Sequence, residues 1–158
     1  MITADRDIII LNKWLDRTTR RDAYIPVQIS GVAVYDYRTS TNEGGSIVGN
    51  ARFAIRIPID AAIENNRVYV PEAHYDVLDD ASAYQSWTIH NEDKIIVCKY
   101  GIGDVDVPIY GSYPIDPADA EILATTIGYD KMLIHIMEYA DNTMRGSDLV
   151  KHWRIGGV

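Results

Sequence analysis

Cysteine is nearly absent from this sequence, and long apolar runs are missing altogether. Its one cysteine, Cys98, cannot form a disulfide within the chain and cannot hold a metal ion alone. Because Cys98 falls in an apolar, strand-like run, we expect it to be a small buried core residue. The apolar run at residues 8–11 is far too short for a signal peptide or a membrane span. The sequence therefore predicts neither a disulfide scaffold nor a membrane protein.

Positive charge is scarce, above all in the middle third. The 158 residues carry 15 Lys and Arg against 23 Asp and Glu, for a net charge of −8. Residues 61–119 hold three basic and eleven acidic side chains, whereas residues 1–60 are nearly balanced. Nucleic-acid binding needs clustered Lys and Arg, so this balance weighs against it as the main activity. The nearest basic patch, Arg17, Arg20 and Arg21, is interrupted by acids and is typical of a solvated turn.

Hydrophobic periodicity of two residues dominates the chain and predicts strands. The clearest case is residues 51–59, where Phe53, Ile55 and Ile57 alternate with Arg52 and Arg56, and Pro58 marks a strand end or a sheet edge. Further strands are expected at 7–14, 24–37, 131–139 and 149–155. Residues 87–90 and 94–99 are expected to form a hairpin around the polar turn 91–93. At Gly31 the apolar positions change parity, which indicates a bulge or a sharp bend.

Helical signal is sparse, and one helix stands out at about 116–127. Asp116 can cap its N-terminus, Pro117 suits the first helical position and Gly128 can terminate it. A weaker turn or short helix is expected within residues 72–83. The sequence predicts one mainly β domain over residues 1–158, a small β-barrel or sandwich with one short helix and a long Gly/Ser-rich loop. That loop spans residues 39–50, and loops of this length are commonly functional or disordered.

A search for catalytic or metal-binding motifs finds none that is specific. The four histidines are not at metal-ligand spacing, and no neighbouring cysteine completes a site. Asp76, Asp79 and Asp80 lack the ligand spacing of a calcium loop and predict a solvated acidic turn. We therefore expect no cofactor, no metal and no enzymatic activity. Eleven tyrosines and three tryptophans stand against one phenylalanine, a bias typical of protein interfaces, although amphipathic positions on a thin barrel wall would explain it equally well.

The order of several segments resembles a known family. The chain is similar to the minor structural, or minor capsid, proteins of tailed phages and prophages of Gram-positive bacteria, and to the head-completion (stopper) proteins of the head-to-tail connector. Four stretches that together span nearly the whole chain carry the resemblance. They are Ile10-Leu11-Asn12-Lys13 with Tyr24 and Ile29-Ser30-Gly31-Val32; Arg56-Ile57-Pro58-Ile59-Asp60 with Tyr69-Val70-Pro71 and Tyr75; Trp87-Thr88-Ile89 with Asp93-Lys94-Ile95-Ile96-Val97; and Asn142-Thr143-Met144-Arg145-Gly146-Ser147 with His152-Trp153-Arg154-Ile155-Gly156-Gly157.

The resemblance implies a virion neck protein that assembles in the host cytoplasm. Its homo-oligomeric, six-fold ring would lie between the portal-side adaptor and the tail terminator or tail tube proteins, with phage DNA passing through and no sequence-specific contact. In such stoppers a long loop of each subunit projects into the channel, and the candidate here comprises Thr39, Asn42, Glu43, Gly44, Gly45, Ser46, Ile47, Val48, Gly49 and Asn50. The candidate interface residues toward neighbouring subunits are Arg17, Arg20, Arg21, Tyr75, Tyr110, Tyr113, Trp153 and Arg154.

Three other interpretations remain open on the sequence. A tail terminator or another ring protein of the same neck is the alternative within the structural class. A monomeric β-barrel binding module for oligosaccharide or peptide is the second. A small hydrolase is the third, and it would require a buried His–Asp pair that opens into a pocket. The opposite charge of the first and middle thirds further suggests that some of this asymmetry is expressed across contacts between subunits.

Overall fold

The computed structural model describes residues 6–15, 20–36, 39–43, 46–50, 53–98, 115–128, 133–144, 146–147 and 150–158, with the backbone alone at 39–43 and 46–50. The described part is mainly β, as predicted. Its strands are β1 (Arg6–Leu15), β2 (Asp22–Asp36), β3 (Thr39–Glu43), β4 (Ser46–Asn50), β5 (Phe53–Pro58), β6 (Ala62–Ile63), β7 (Val68–Tyr69), β8 (Ser86–Trp87), β9 (Lys94–Val97), β10 (Ile134–Asp141) and β11 (His152–Gly157). Its helices are α1 (Glu72–Tyr75), α2 (Asp80–Ala83) and α3 (Pro117–Ile127), with a 3-10 turn at Glu64–Asn66.

Six strands form a closed circuit of antiparallel pairings. The order is β1, β9, β10, β11, β5 and β2, and β2 pairs back to β1. The long strand β2 makes this closure possible because it pairs with β1 up to Val32 and with β5 from Ala33 onward. Gly31, with a φ of 81°, lies at this change of partner, where a glycine tolerates the left-handed backbone. The bend predicted at Gly31 is therefore confirmed.

Alternate residues of the circuit point inward and make the main core. Ile8 and Ile10 of β1 meet Ile55 and Ile57 of β5 and Ile155 of β11, all nearly or fully buried. Burying a side chain of this size contributes roughly 1.5–3 kcal/mol, so the interior supplies the largest favourable term in folding. The alternation seen in the sequence at residues 53–57 thus places its apolar side inward, and β5 ends at Pro58 as predicted.

The helix α3 covers the outer side of β1 and β9. Ile9 and Leu11 of β1 face outward and pack with Leu123 and Ile127 of α3, so β1 is buried on both sides. The predicted capping signals act as expected: the Asp116 carboxylate accepts a hydrogen bond from the Asp119 amide at 2.8 Å, and Pro117 begins the helix. Cys98 belongs to this second core, as predicted, and burial raises the pKa of its thiol to about 12.

Residues 68–93, here named the cap segment, close one side of the circuit. Short parallel pairing joins β7 to β8, and Trp87 and Ile89 reach into the main core. Helices α1 and α2 lie between these strands, where Tyr75 and Ala83 pack with Trp14 of β1 and Ile25 of β2. The weak helical signal predicted at 72–83 thus corresponds to two separate turns of helix.

Two sequence-based expectations about connections are wrong. Residues 39–50 form the hairpin β3–β4 rather than an irregular loop, with pairing from Thr39 opposite Asn50 to Glu43 opposite Ser46. Residues 87–90 and 94–99 do not pair as a hairpin, because β8 joins β7 while β9 joins β1 and β10. The polar turn between them is instead tied to β1 by side-chain hydrogen bonds. Within the described ranges, no helix has the length and apolar character needed to cross a membrane.

Candidate functional site

A buried carboxylate organises the polar centre of the cap segment. Asp93 accepts hydrogen bonds from the Asn12 side chain at 2.8 Å, the Lys13 amide at 2.7 Å and the His90 amide at 2.9 Å. Asn12 also bonds the backbone of Thr88 in both directions, at 2.7 Å and 3.2 Å. We name Asn12, Thr88, His90 and Asp93 the Asp93 network. Because a buried carboxylate must be satisfied, the turn after β8 is held against β1 rather than paired with β9.

His90 bridges this buried carboxylate and an exposed one. Its Nδ1 lies 3.3 Å from Asp93 Oδ1, and its Nε2 lies 2.9 Å from Asp76 Oδ1 at the end of α1. Burial by itself lowers the pKa of His90, but the hydrogen bond and charge of Asp93, followed by those of Asp76, outweigh it and raise the pKa to about 9. At neutral pH the ring is therefore an imidazolium that donates to two carboxylates.

Glu72, Asp76 and His90 form the one group of possible metal ligands in the described part of the chain, with ligand atoms within 4.8 Å of one another. Tyr139 of β10 donates to Glu72 at 2.5 Å, and this bond raises the pKa of Tyr139 to about 12. A cation could bind only by displacing the proton on His90 Nε2. The group as it stands is an ion-pair clamp that ties α1 to β10 and to the Asp93 network.

Two of the residues predicted to lie at subunit interfaces, Tyr75 and Trp153, are buried within the chain and expose little or no side-chain surface to a neighbouring subunit. Tyr75 is fully buried because its ring packs edge-on against Trp14, with centroids 5.5 Å apart. Trp153 is 9% exposed and stacks with Trp87 and Tyr69 at 4.9 Å and 5.0 Å between centroids. The Trp153 indole nitrogen and the Tyr75 hydroxyl have no hydrogen-bond partner among the described residues. Both aromatic side chains belong to buried clusters of the subunit.

The remaining predicted interface residues have mixed positions. Arg154 lies exposed on the outer face of β11, and Arg20 and Arg21 are exposed between β1 and β2, where Arg20 has a φ of 57°. Their interface role stays a prediction. Arg17, Tyr110, Tyr113, Gly44 and Gly45 lie outside the described residues, as do the side chains of the other candidate channel-loop residues, Thr39, Asn42, Glu43, Ser46, Ile47, Val48, Gly49 and Asn50.

The outer face of β5, β11 and β10 carries a groove of about 560 Å³. Ala54 and Gly156, which lie opposite each other in the sheet, form its floor. Met137 and Glu138 form one wall, and the exposed side chain of Arg154 lies at its end. The groove exists because the floor residues have little or no side chain while their neighbours along the sheet are large.

Family comparison supplies one result. A family model described as a family of unknown function, DUF6751, matches residues 2–158. The chain belongs to the DUF6751 family. No curated protein and no solved structure matches it.

Two features of this DUF6751 protein were missed in the sequence. The Asp93 network joins residues far apart in the chain, such as Asn12 and Thr88, and only the spacing of His90 and Asp93 gave a local hint. The position of Arg56 directly opposite Arg154 was also missed. The alternation in each strand shows that its arginine points outward, but nothing local in the sequence indicates that β5 lies beside β11. In both cases the missing information was the strand order.

Proposed function

We propose that this DUF6751 protein is a structural ring subunit of a phage neck, the head-completion or stopper protein that closes the DNA channel after packaging and offers the tail a docking surface. The supporting observation is the combination of a closed six-strand circuit with an extra hairpin inserted between two of its strands, β2 and β5. The sequence resemblance implies this plan: a compact β subunit with one long insertion available for the channel.

The hairpin β3–β4 is a separate two-stranded sheet. It pairs with itself from end to end and has no strand pairing with the seven-stranded sheet in the described residues. A change in the angle of this hairpin would break no strand hydrogen bond of the seven-stranded sheet, as far as the described pairings extend. In the proposed function this hairpin is the element of each subunit that closes the channel.

Cryo-electron microscopy of particles of the encoding phage or prophage tests the proposal directly. We expect density for this chain in a ring between the portal vertex and the tail. Particles that lack the protein should contain packaged heads that leak DNA and carry no tails. Density for the chain elsewhere in the particle, or tailed and infectious particles without it, would refute the proposal. A ring at the end of the tail tube would instead identify a tail terminator.

A further inference from the structure

We propose that neighbouring copies of this chain bind head to tail, with the acidic turn between α1 and α2 of one copy seated in the groove on the outer face of β5 and β11 of the next. We name residues 76–80 the acidic knob, and Ala54, Arg56, Met137, Arg154 and Gly156 the arginine hollow. The inference rests on the proposed function, a ring subunit, and identifies the two faces that make the ring.

The arginine hollow lies over two adjacent rows of side chains on the outer face of the sheet, and the strand register defines both rows. In the first row Arg56 of β5 lies directly opposite Arg154 of β11. In the next row Ala54 lies opposite Gly156, and Glu138 of β10 faces Gly156 from the other side. The result is a shallow depression lined by Arg154 and by Glu138, whose side chain lies against Gly156, with Arg56 in the row beside it. Met137, which is 63% exposed, adds an apolar wall.

The two arginines are an unfavourable pair within a single subunit. Like charges directly opposite each other in neighbouring strands repel, and such pairs destabilise a sheet. Arg56 lies over the ring of Tyr35 at 5.8 Å, which offsets part of that cost. Arg154 has no ion-pair partner in the part of the chain that the structure describes. An acidic partner placed over the hollow would relieve the repulsion and pair both guanidinium groups.

The acidic knob has the complementary chemistry. Asp76, Asp79 and Asp80 lie close to Val77 in the sequence, and the Val77 side chain is 79% exposed. No Lys or Arg occurs anywhere in residues 68–93, and the cation of this segment that pairs with the knob is His90, which binds Asp76. Asp76 is engaged by His90 and Asp79 caps α2, which fixes the shape of the turn and leaves the Asp80 carboxylate at its surface. An exposed apolar tip with a surface carboxylate near it is complementary to a floor of small residues with Arg154 beside it.

The positions of the two faces suit a ring. The hollow lies on the outer face of β5, β11 and β10, whereas the knob lies in the cap segment, so the two are different surfaces of one subunit. Two different, complementary faces on each subunit produce heterologous contacts, which close into a ring when the rotation per subunit allows it. A two-fold dimer would need one self-complementary face instead.

A double-mutant cycle in sedimentation experiments on the full-length purified chain tests the contact. We expect the unmodified chain to self-associate. The variants Arg154→Glu and Asp80→Arg should each weaken this association at least roughly tenfold. Because each subunit of a head-to-tail ring presents both faces, the double variant should assemble at least roughly fivefold more tightly than the two single effects combined predict. Additive effects, or a chain that stays monomeric up to millimolar concentration, would overturn the inference.

Two uncharged variants test the shape of the contact independently. Ala54→Tyr fills the hollow and Val77→Ser removes the apolar tip, and both should weaken association although neither changes a charge. The matched controls are Ile122→Ser, an exposed apolar residue on α3, and Glu121→Arg, a charge reversal of an exposed acid on the same helix. Circular dichroism establishes that each variant is folded. Association weakened as much by the controls as by the hollow and knob variants would also overturn the inference.

The two sets of experiments test the contact between subunits independently of the proposed role in the phage neck. A neck ring seen by electron microscopy, together with a null coupling between Arg154 and Asp80, would refute the contact and leave the proposed function standing. If Arg154 and Asp80 are coupled in self-association but the chain is absent from the neck, the contact stands and the proposed function is refuted. Binding of the arginine hollow to DNA, with loss on Arg154→Glu and no effect on self-association, would overturn the inference in favour of a phosphate-binding face.

Discussion

Replacement of His90 by glutamine should make the protein less stable at neutral pH and should leave its stability at pH 10 nearly unchanged. The imidazolium of His90 is held between Asp93 and Asp76, and its pKa rises from 6.5 in the unfolded chain to about 9 in the folded one. A difference of this size corresponds to roughly 3 kcal/mol in the free energy of unfolding. That is a substantial fraction of the stability of a typical domain.

The direction of the pH dependence follows from the raised pKa. The folded state holds the proton more tightly, so the stabilisation is fully present below pH 6.5 and is lost as the pH rises through about 9. The difference in unfolding free energy between the unmodified chain and His90→Gln should therefore shrink across this window, with a slope of up to about 1.4 kcal/mol per pH unit. Below the window the difference should be constant.

Urea unfolding monitored by tryptophan fluorescence measures this difference, because Trp14, Trp87 and Trp153 are all buried. The control is His135→Gln, which changes an exposed histidine on β10 and should alter stability by no more than about 0.5 kcal/mol. A direct titration of the His90 ring by NMR should give a midpoint near pH 9. A midpoint near 6.5, or a difference in stability that does not vary with pH, would refute the proposed clamp.

Other predictions concern the core, the sheet and the hairpin. Asp93→Ala should cost roughly 3–5 kcal/mol, measured by urea unfolding at pH 7, because it strips the buried imidazolium and three further donors of their acceptor. Gly157→Ala should lower the unfolding free energy by roughly 1–3 kcal/mol, since the added Cβ would lie 2.7 Å from the His135 carbonyl oxygen; unchanged stability would mean that β10 and β11 can separate freely. Cys98 should resist thiol reagents in the native protein and react on unfolding, a rate difference that a colorimetric thiol assay detects. Replacement of residues 39–50 by a short glycine–serine linker should leave the thermal midpoint of the purified subunit nearly unchanged while particles lose packaged DNA; retention of DNA would remove the hairpin from the channel-closing role.

Local signals in the sequence were sufficient for some elements and not for others. The helix α3 could be predicted because its cap Asp116, its first-turn Pro117 and its stop at Gly128 are all adjacent to it. The hairpin β3–β4 could not, because residues 39–43 are polar throughout and show no apolar alternation. The burial of Tyr75 and Trp153 could not be predicted either, because it depends on packing against distant parts of the chain.

The candidate site depended on strand order, which no local pattern contains. Tyr75 is the last residue of a short helix, and its burial depends on residues such as Trp14, sixty-one positions earlier in the chain, that pack against it. The arginine hollow requires β5 beside β11, and these strands lie far apart in the sequence. Sequence alone could show that Arg56 and Arg154 each point to the outside of a sheet. That they point outward side by side is a property of the folded chain.

The closed circuit of strands also limits the ways in which this chain can aggregate. Edge strands expose unpaired backbone groups that recruit other chains into aggregates. In the described part of the main sheet, the two-residue β6, which joins β2 at Ile63 and Ala62, is the one strand that pairs with a single neighbour. Every other strand of that sheet has partners on both sides for at least part of its length. The main sheet therefore offers another chain little open backbone to extend.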